Sequence, residues 1–190
     1  MTVHVNLTSP NLAGIVTGIG ACIVEALEQT PAGAPCRQCL LVPTSLIAWD
    51  NCGPCDTDGD CGAPGQVALA ITSVYGSNSF PQPANGVTWS KCGPRFMVAR
   101  AVASITRCLP ALDQDGAPPD CDDLLAAAIT LENDRTAALQ GMACCLSDLA
   151  SAFTIGAWLI EPAVTYPESG GCGGIEIPFS FAVTTCLCPG

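Results

Sequence analysis

The chain has 190 residues, with Lys+Arg 6 against Asp+Glu 17 and a formal net charge of −11. That balance excludes tight nonspecific binding to nucleic acid, which needs cationic side chains to displace phosphate counterions, and it disfavours anionic membranes. A chain of this length forms one sizeable core that buries roughly 70% of the unfolded surface. The 14 cysteines are therefore extra staples or ligands and not a substitute for a core. Charged residues make up only 12% of the chain, about half the share in ordinary globular domains. Charge depletion of this kind is expected where other subunits cover the surface; a compact, small-residue-rich protein with a bland exterior is the alternative.

The start, MTVHVNLTSP, has neither a basic nor a continuous apolar stretch of the secretory kind, and no apolar run approaches the ~20 residues of a membrane helix. The expectation is a soluble protein made in the cytoplasm. Thiols stay reduced there, so disulfides would form after release.

The first predicted element is a helix over SPNLAGIVTGIGACIVEALEQ. Leu12, Ile15, Val16, Ile19, Ile23 and Leu27 recur at three- and four-residue steps, with Ser9 and Pro10 as N-cap and first-turn pair. Gly14, Gly18 and Gly20 weaken it, each by about 1 kcal/mol relative to Ala, or permit a close helix contact. TPAGAP ends it. LLVPTSLIAW reads as an apolar strand that Pro43 confines to a sheet edge or a bulge. Residues 50–65 form a cysteine-rich loop.

Two long strands follow. In GQVALAITSVYG, Val67, Leu69 and Ile71 alternate with Ala68, Ala70 and Thr72. In RFMVARAVASITRC, Phe96, Val98 and Val102 alternate with Met97, Ala99, Ala101 and Ile105. They pair as an antiparallel hairpin whose connection, residues 76–94, protrudes; a loop that long in a compact domain usually has a function. After the linker DQDGAPPD, Asp120 caps a second helix over Cys121 to Cys145. Asp122 and Asp123 sit at its positive end, and Leu125, Ile129, Leu139 and Met142 form an apolar stripe. FTIGAWLIEPAV is a strand, TYPESGGCGG a linker, and IEIPFSFAVTTCL the clearest strand of all, with Ile175, Ile177, Phe179, Phe181 and Val183 on one face. The order predicts a single α+β domain over 1–190: about five strands in a mainly antiparallel sheet, two helices on one face.

Chemistry is sparse. The one histidine, His4, reads as a tail residue, which leaves no histidine for a triad or for acid–base work. No phosphate-binding glycine loop is present, and nothing in the carboxylate spacing singles out a glycosidase pair. In DTDGDCGAPGQV, Asp56, Asp58 and Asp60 fall at calcium-loop positions, but the glycine comes one place late at Gly62 and Val67 stands where Glu is needed. The segment reads as a solvated turn.

Cys36, Cys39, Cys52 and Cys55 form two C-x-x-C pairs with twelve residues between them, close to four-thiolate zinc spacing. The intervening residues are an apolar strand, and ten further cysteines are scattered along the chain. Disulfide stapling accounts best for this spread; buried reduced thiols and a zinc site are the alternatives. No cofactor and no enzymatic activity are expected, since a cysteine nucleophile would lack an activating base.

CRQCLLVPTSLIAWDNC, CGAPGQVALAITSVYGSNSFPQPA, RFMVARAVASITRC, GMACC and YPESGGCGGIEIPFSFAVTT together resemble head–tail connector proteins of long-tailed phages that infect actinobacteria. Within that group the order of elements is similar to the tail-terminator family, whose members form a hexameric ring that caps the tail tube and joins it to the head. The cysteine content and the 76–94 loop depart from terminators of other hosts. The resemblance implies a virion neck protein made in the host cytoplasm. Its expected partners are further copies of itself, the major tail tube protein and other connector proteins, with double-stranded DNA passing through the lumen without specific binding. A stopper or adaptor (tail completion) ring is the alternative, and a cysteine-ligated zinc module the rival of a different class. The expected contact regions are the residues before Ser9, the loop from Gly76 to Pro94, and the terminal CLCPG.

Overall fold

A computed structural model describes residues 11–43, 63–84, 96–112, 116–152, 154–169 and 171–183. It is an α+β fold: α1 (Leu12–Glu28), β1 (Pro35–Val42), β2 (Ala63–Ser77), β3 (Phe96–Cys108), α2 (Cys121–Ser151), β4 (Trp158–Ile160), β5 (Val164–Ser169) and β6 (Cys172–Val183). The sheet order is β1-β2-β3-β6-β4, with β5 also pairing β6. All pairings are antiparallel except β1 with β2.

Against the expected strands, about five, the described residues form six. The additional strand, β5, lies in the segment read as a linker. The strand placed at LLVPTSLIAW begins earlier, at Pro35, and ends at Val42, immediately before Pro43. Its edge position holds among the described residues, where β1 is the outermost strand on its side. The N-cap of α1 is Asn11, whose side chain accepts a 3.0 Å bond from the Gly14 amide; Ser9 lies outside the described residues. The second helix continues past Cys145 to Ser151.

The core forms between the two helices and one sheet face. Side chains alternate across a strand, so Ile175, Ile177, Phe179, Phe181 and Val183 of β6 all face the helices, each at most 1% exposed. Beside them β3 presents small residues, with Ala99 opposite Phe181, Ala101 opposite Phe179 and Ala103 opposite Ile177. This pairing of small with large lets the helix layer sit close without voids. The rings of Phe179 and Phe181 stack at 6.3 Å, and Ile15, Ile19, Ile23 and Leu27 of α1 complete the layer. Burying each of the larger side chains contributes about 1.5–3 kcal/mol.

On the opposite face a polar knot forms under Tyr166 of β5. Its hydroxyl donates to the Ile105 carbonyl at 3.1 Å and pairs with the Thr106 hydroxyl at 3.0 Å. Gly174 makes this possible, because a Cβ there would collide with both the Tyr166 hydroxyl and the Ile105 carbonyl. Burial pushes the Tyr166 phenol up to about 12; the Ser104 and Thr106 hydrogen bonds pull the other way and nearby Glu176 adds to the rise.

Candidate functional site

The two helices run antiparallel. Gly141 of α2 lies against Cys22 and Ala26 of α1, and Cys145 is disulfide-bonded to Cys22, a closure spanning 123 residues of sequence. Asn133 is level with Gln29 and Pro31, where α1 has already ended. The preceding residues of α2 therefore continue past the end of α1 as an arm about 18 Å long, at ~1.5 Å per residue.

The arm starts at the N-cap Asp120, whose side chain lies 3.5 Å from the Asp122 amide. Asp122 and Asp123 occupy the first turn, where carboxylates oppose the positive end of the helix dipole. The arm's inner side still borders the body, with Ala127 and Thr130 beside Ala32, Pro64, Cys108 and Leu109, and its root is Asp134, the first buried residue of α2. There the Arg107 guanidinium, 4% exposed, grips the carboxylate of Asp134, 0% exposed: Nε to Oδ2 at 2.6 Å and Nη2 to Oδ1 at 3.0 Å. Nη2 also donates to the Gly33 carbonyl at 2.6 Å. The fork ties β3, the α1–β1 turn and α2 together at the root of the arm. Arg107 Nη1 is buried without a partner among the described residues. The adjacent Cys108 thiol is pushed up by burial, with the Arg107 charge opposing.

The predicted stripe divides at this root. Met142 is buried and Leu139 packs against the core, but Leu125 is 59% exposed and Ile129 52% exposed. Leu124 is exposed beside them. The physical reason is length: α1 is too short to cover these turns, so helical periodicity here marks an outward face and not the core.

The opposite end of α2 carries a groove of about 620 Å³ along the α1–α2 seam. Its floor is the Cys22–Cys145 pair with Ala26, Gly141 and Leu149, while Glu25 and Asp148 stand at its rim. Cys144 also lines it, exposed and outside any disulfide.

Of the zinc candidates, Cys36 and Cys39 lie on β1, three residues apart and so on opposite faces of the strand. Cys36 is held in a disulfide. Cys52 and Cys55 lie outside the described residues, as do His4, Asp56, Asp58, Asp60, the residues before Ser9 and the terminal CLCPG. Among the described residues no group of three or more potential ligands gathers, and no helix is long and apolar enough to cross a membrane.

The described part of the 76–94 loop, up to Ala84, folds back on β2. Tyr75 donates to the Pro81 carbonyl at 2.6 Å, Ser77 to the Gln82 carbonyl at 2.6 Å, and the Ala84 amide to the Gly76 carbonyl at 2.9 Å. Gly76 and Ser77 are buried and belong to β2, not to a protruding loop; residues 85–94 lie outside the described residues. Sequence reasoning missed both α2 surfaces. The signal was present in the lengths of the two apolar stripes, since that of α2 extends over more turns than α1 can cover. No family model matches the chain, and no curated protein matches it.

Proposed function

We propose that the chain is a structural virion protein that assembles into a homo-oligomeric, hexameric ring in the neck of a long-tailed phage. There it caps the tail tube, joins it to the head and surrounds the path of the DNA; a stopper or adaptor ring is the nearest variant of the same reading. The observation that carries the assembly reading is the α2 arm: three turns of regular helix, rigidly rooted by Arg107 and Asp134, expose Leu124, Leu125 and Ile129. Fully burying side chains of this kind is worth about 1.5–3 kcal/mol each, which favours covering them with a neighbour. The unpaired outer side of β1 among the described residues offers a second contact by strand addition. The neck location rests on the resemblance alone. Light scattering at micromolar concentration, with negative-stain images of the same sample, tests the proposal. Closed annular particles of uniform subunit number are expected, and a protein that stays monomeric at high concentration would overturn it.

A further inference from the structure

We infer that the arm of one copy docks in the α1–α2 groove of the next, and that Cys121 of the arm and Cys144 of the groove can be oxidised to an inter-subunit disulfide. This rests on the ring reading above and names its contact. The arm displays Cys121, Leu124, Leu125 and Ile129, all exposed, at the i, i+3, i+4 and i+8 steps of one helix face. That is the pattern a helix uses to lie in an apolar groove. The groove offers a largely apolar floor between two antiparallel helices, so a third helix can lie along the seam.

The arm cannot fill its own groove. Leu125 and Cys145 belong to one continuous helix and lie about 30 Å apart along it at ~1.5 Å per residue. An arm seated in the groove therefore comes from another copy. Because donor and acceptor surfaces differ, the contact is head-to-tail and propagates until rotation closes it.

The thiols follow the same logic. Cys121 and Cys144 are exposed and outside any disulfide, at opposite ends of α2 and so out of each other's reach within one chain. The arm carries one and the groove the other. Cross-linking needs an oxidant, here a low-molecular-weight disulfide. The Cys121 thiolate attacks it and forms a mixed disulfide with loss of one small thiol. The Cys144 thiolate of the neighbouring copy then displaces the second small thiol. One S–S bond forms between subunits, one is broken in the oxidant, and the two cysteine protons end on the two small thiols released.

The test uses the full chain incubated with glutathione disulfide and run on a non-reducing denaturing gel. Wild type should give a ladder up to the ring number. Cys121→Ser and Cys144→Ser should each abolish it, while an equimolar mixture of the two should give dimers and nothing larger, since only one complementary thiol pair remains. A ladder persisting in either single variant, or growing past dimers in the mixture, would overturn the thiol assignment. Light scattering in reductant addresses the docking itself. Leu125→Asp combined with Ile129→Asp, at positions already outside the core, should lose assembly at least tenfold with an unchanged circular dichroism spectrum. Rings that form normally from this variant refute the docking and leave the ring reading standing, whereas monomeric wild type refutes both.

Discussion

Arg107 and Asp134 set the direction of the arm, and their energetics decide how it can be perturbed. Taking a guanidinium and a carboxylate out of water costs several kcal/mol per ion, which their short forked contact roughly repays. Removing one partner leaves the other charged, buried and unpaired. Asp134→Ala is expected to destabilise the fold by about 3–5 kcal/mol, read from guanidinium unfolding. The double change Arg107→Met with Asp134→Leu should recover most of that loss, because it removes both desolvation penalties and also the unpartnered Nη1. A double variant as unstable as the single would mean that the Gly33 carbonyl bond, and not the ion pair, fixes this corner. The sequence shows an arginine at the end of a strand and an aspartate within a helix, 27 residues apart; nothing local marks them as partners, since the pairing is created by where α2 passes the end of β3.

The helix pair shows what an element's sequence reveals and what it withholds. Periodicity located both helices, and the alternation in β6 identified its core face, because those patterns are local; in β2 and β3 both faces are buried, Val98 and Val102 as well as Ala99 and Ala101, so alternation there does not tell which set meets the helices. β5 was invisible for a local reason too: Pro167 and the glycines of GGCGG look like turn residues, yet one of those glycines, Gly174, is what lets Tyr166 lie across the sheet. The glycines of the helices need the partner to be interpreted. At Gly141 a Cβ would lie 2.7 Å from the Ala26 Cβ and 2.8 Å from the Cys22 carbonyl oxygen, whereas at Gly18 it would meet nothing within 4 Å. Helix propensity alone favours alanine at both by about 1 kcal/mol. Thermal unfolding should therefore separate them: Gly18→Ala stabilises by up to about that amount, while Gly141→Ala destabilises by about 1–3 kcal/mol as the helices are forced apart. Equal and favourable effects at both positions would show that the seam relaxes without cost, and the groove built on it would lose its fixed shape.

At the scale of the whole molecule the deciding quantity is charge. Each copy carries −11, and both surfaces of the inferred contact are acidic at their margins: Asp122 and Asp123 on the arm, Glu25 and Asp148 beside the groove. Apolar burial must then hold subunits together against carboxylate repulsion that reaches about 30 Å at 0.01 M salt but only about 8 Å at 0.15 M. Assembly should tighten as sodium chloride rises between these limits, with the concentration for half-assembly in sedimentation velocity falling several-fold. This is the opposite of an interface built on salt bridges, which salt weakens. It also separates the two contacts considered for a ring. Strand addition at β1 would bring exposed Arg37 toward an acidic neighbour and gain from low salt, whereas arm-in-groove docking gains from high salt. A half-assembly concentration that rises with salt would thus move the principal contact from the helices to the sheet edge, with the ring itself unaffected.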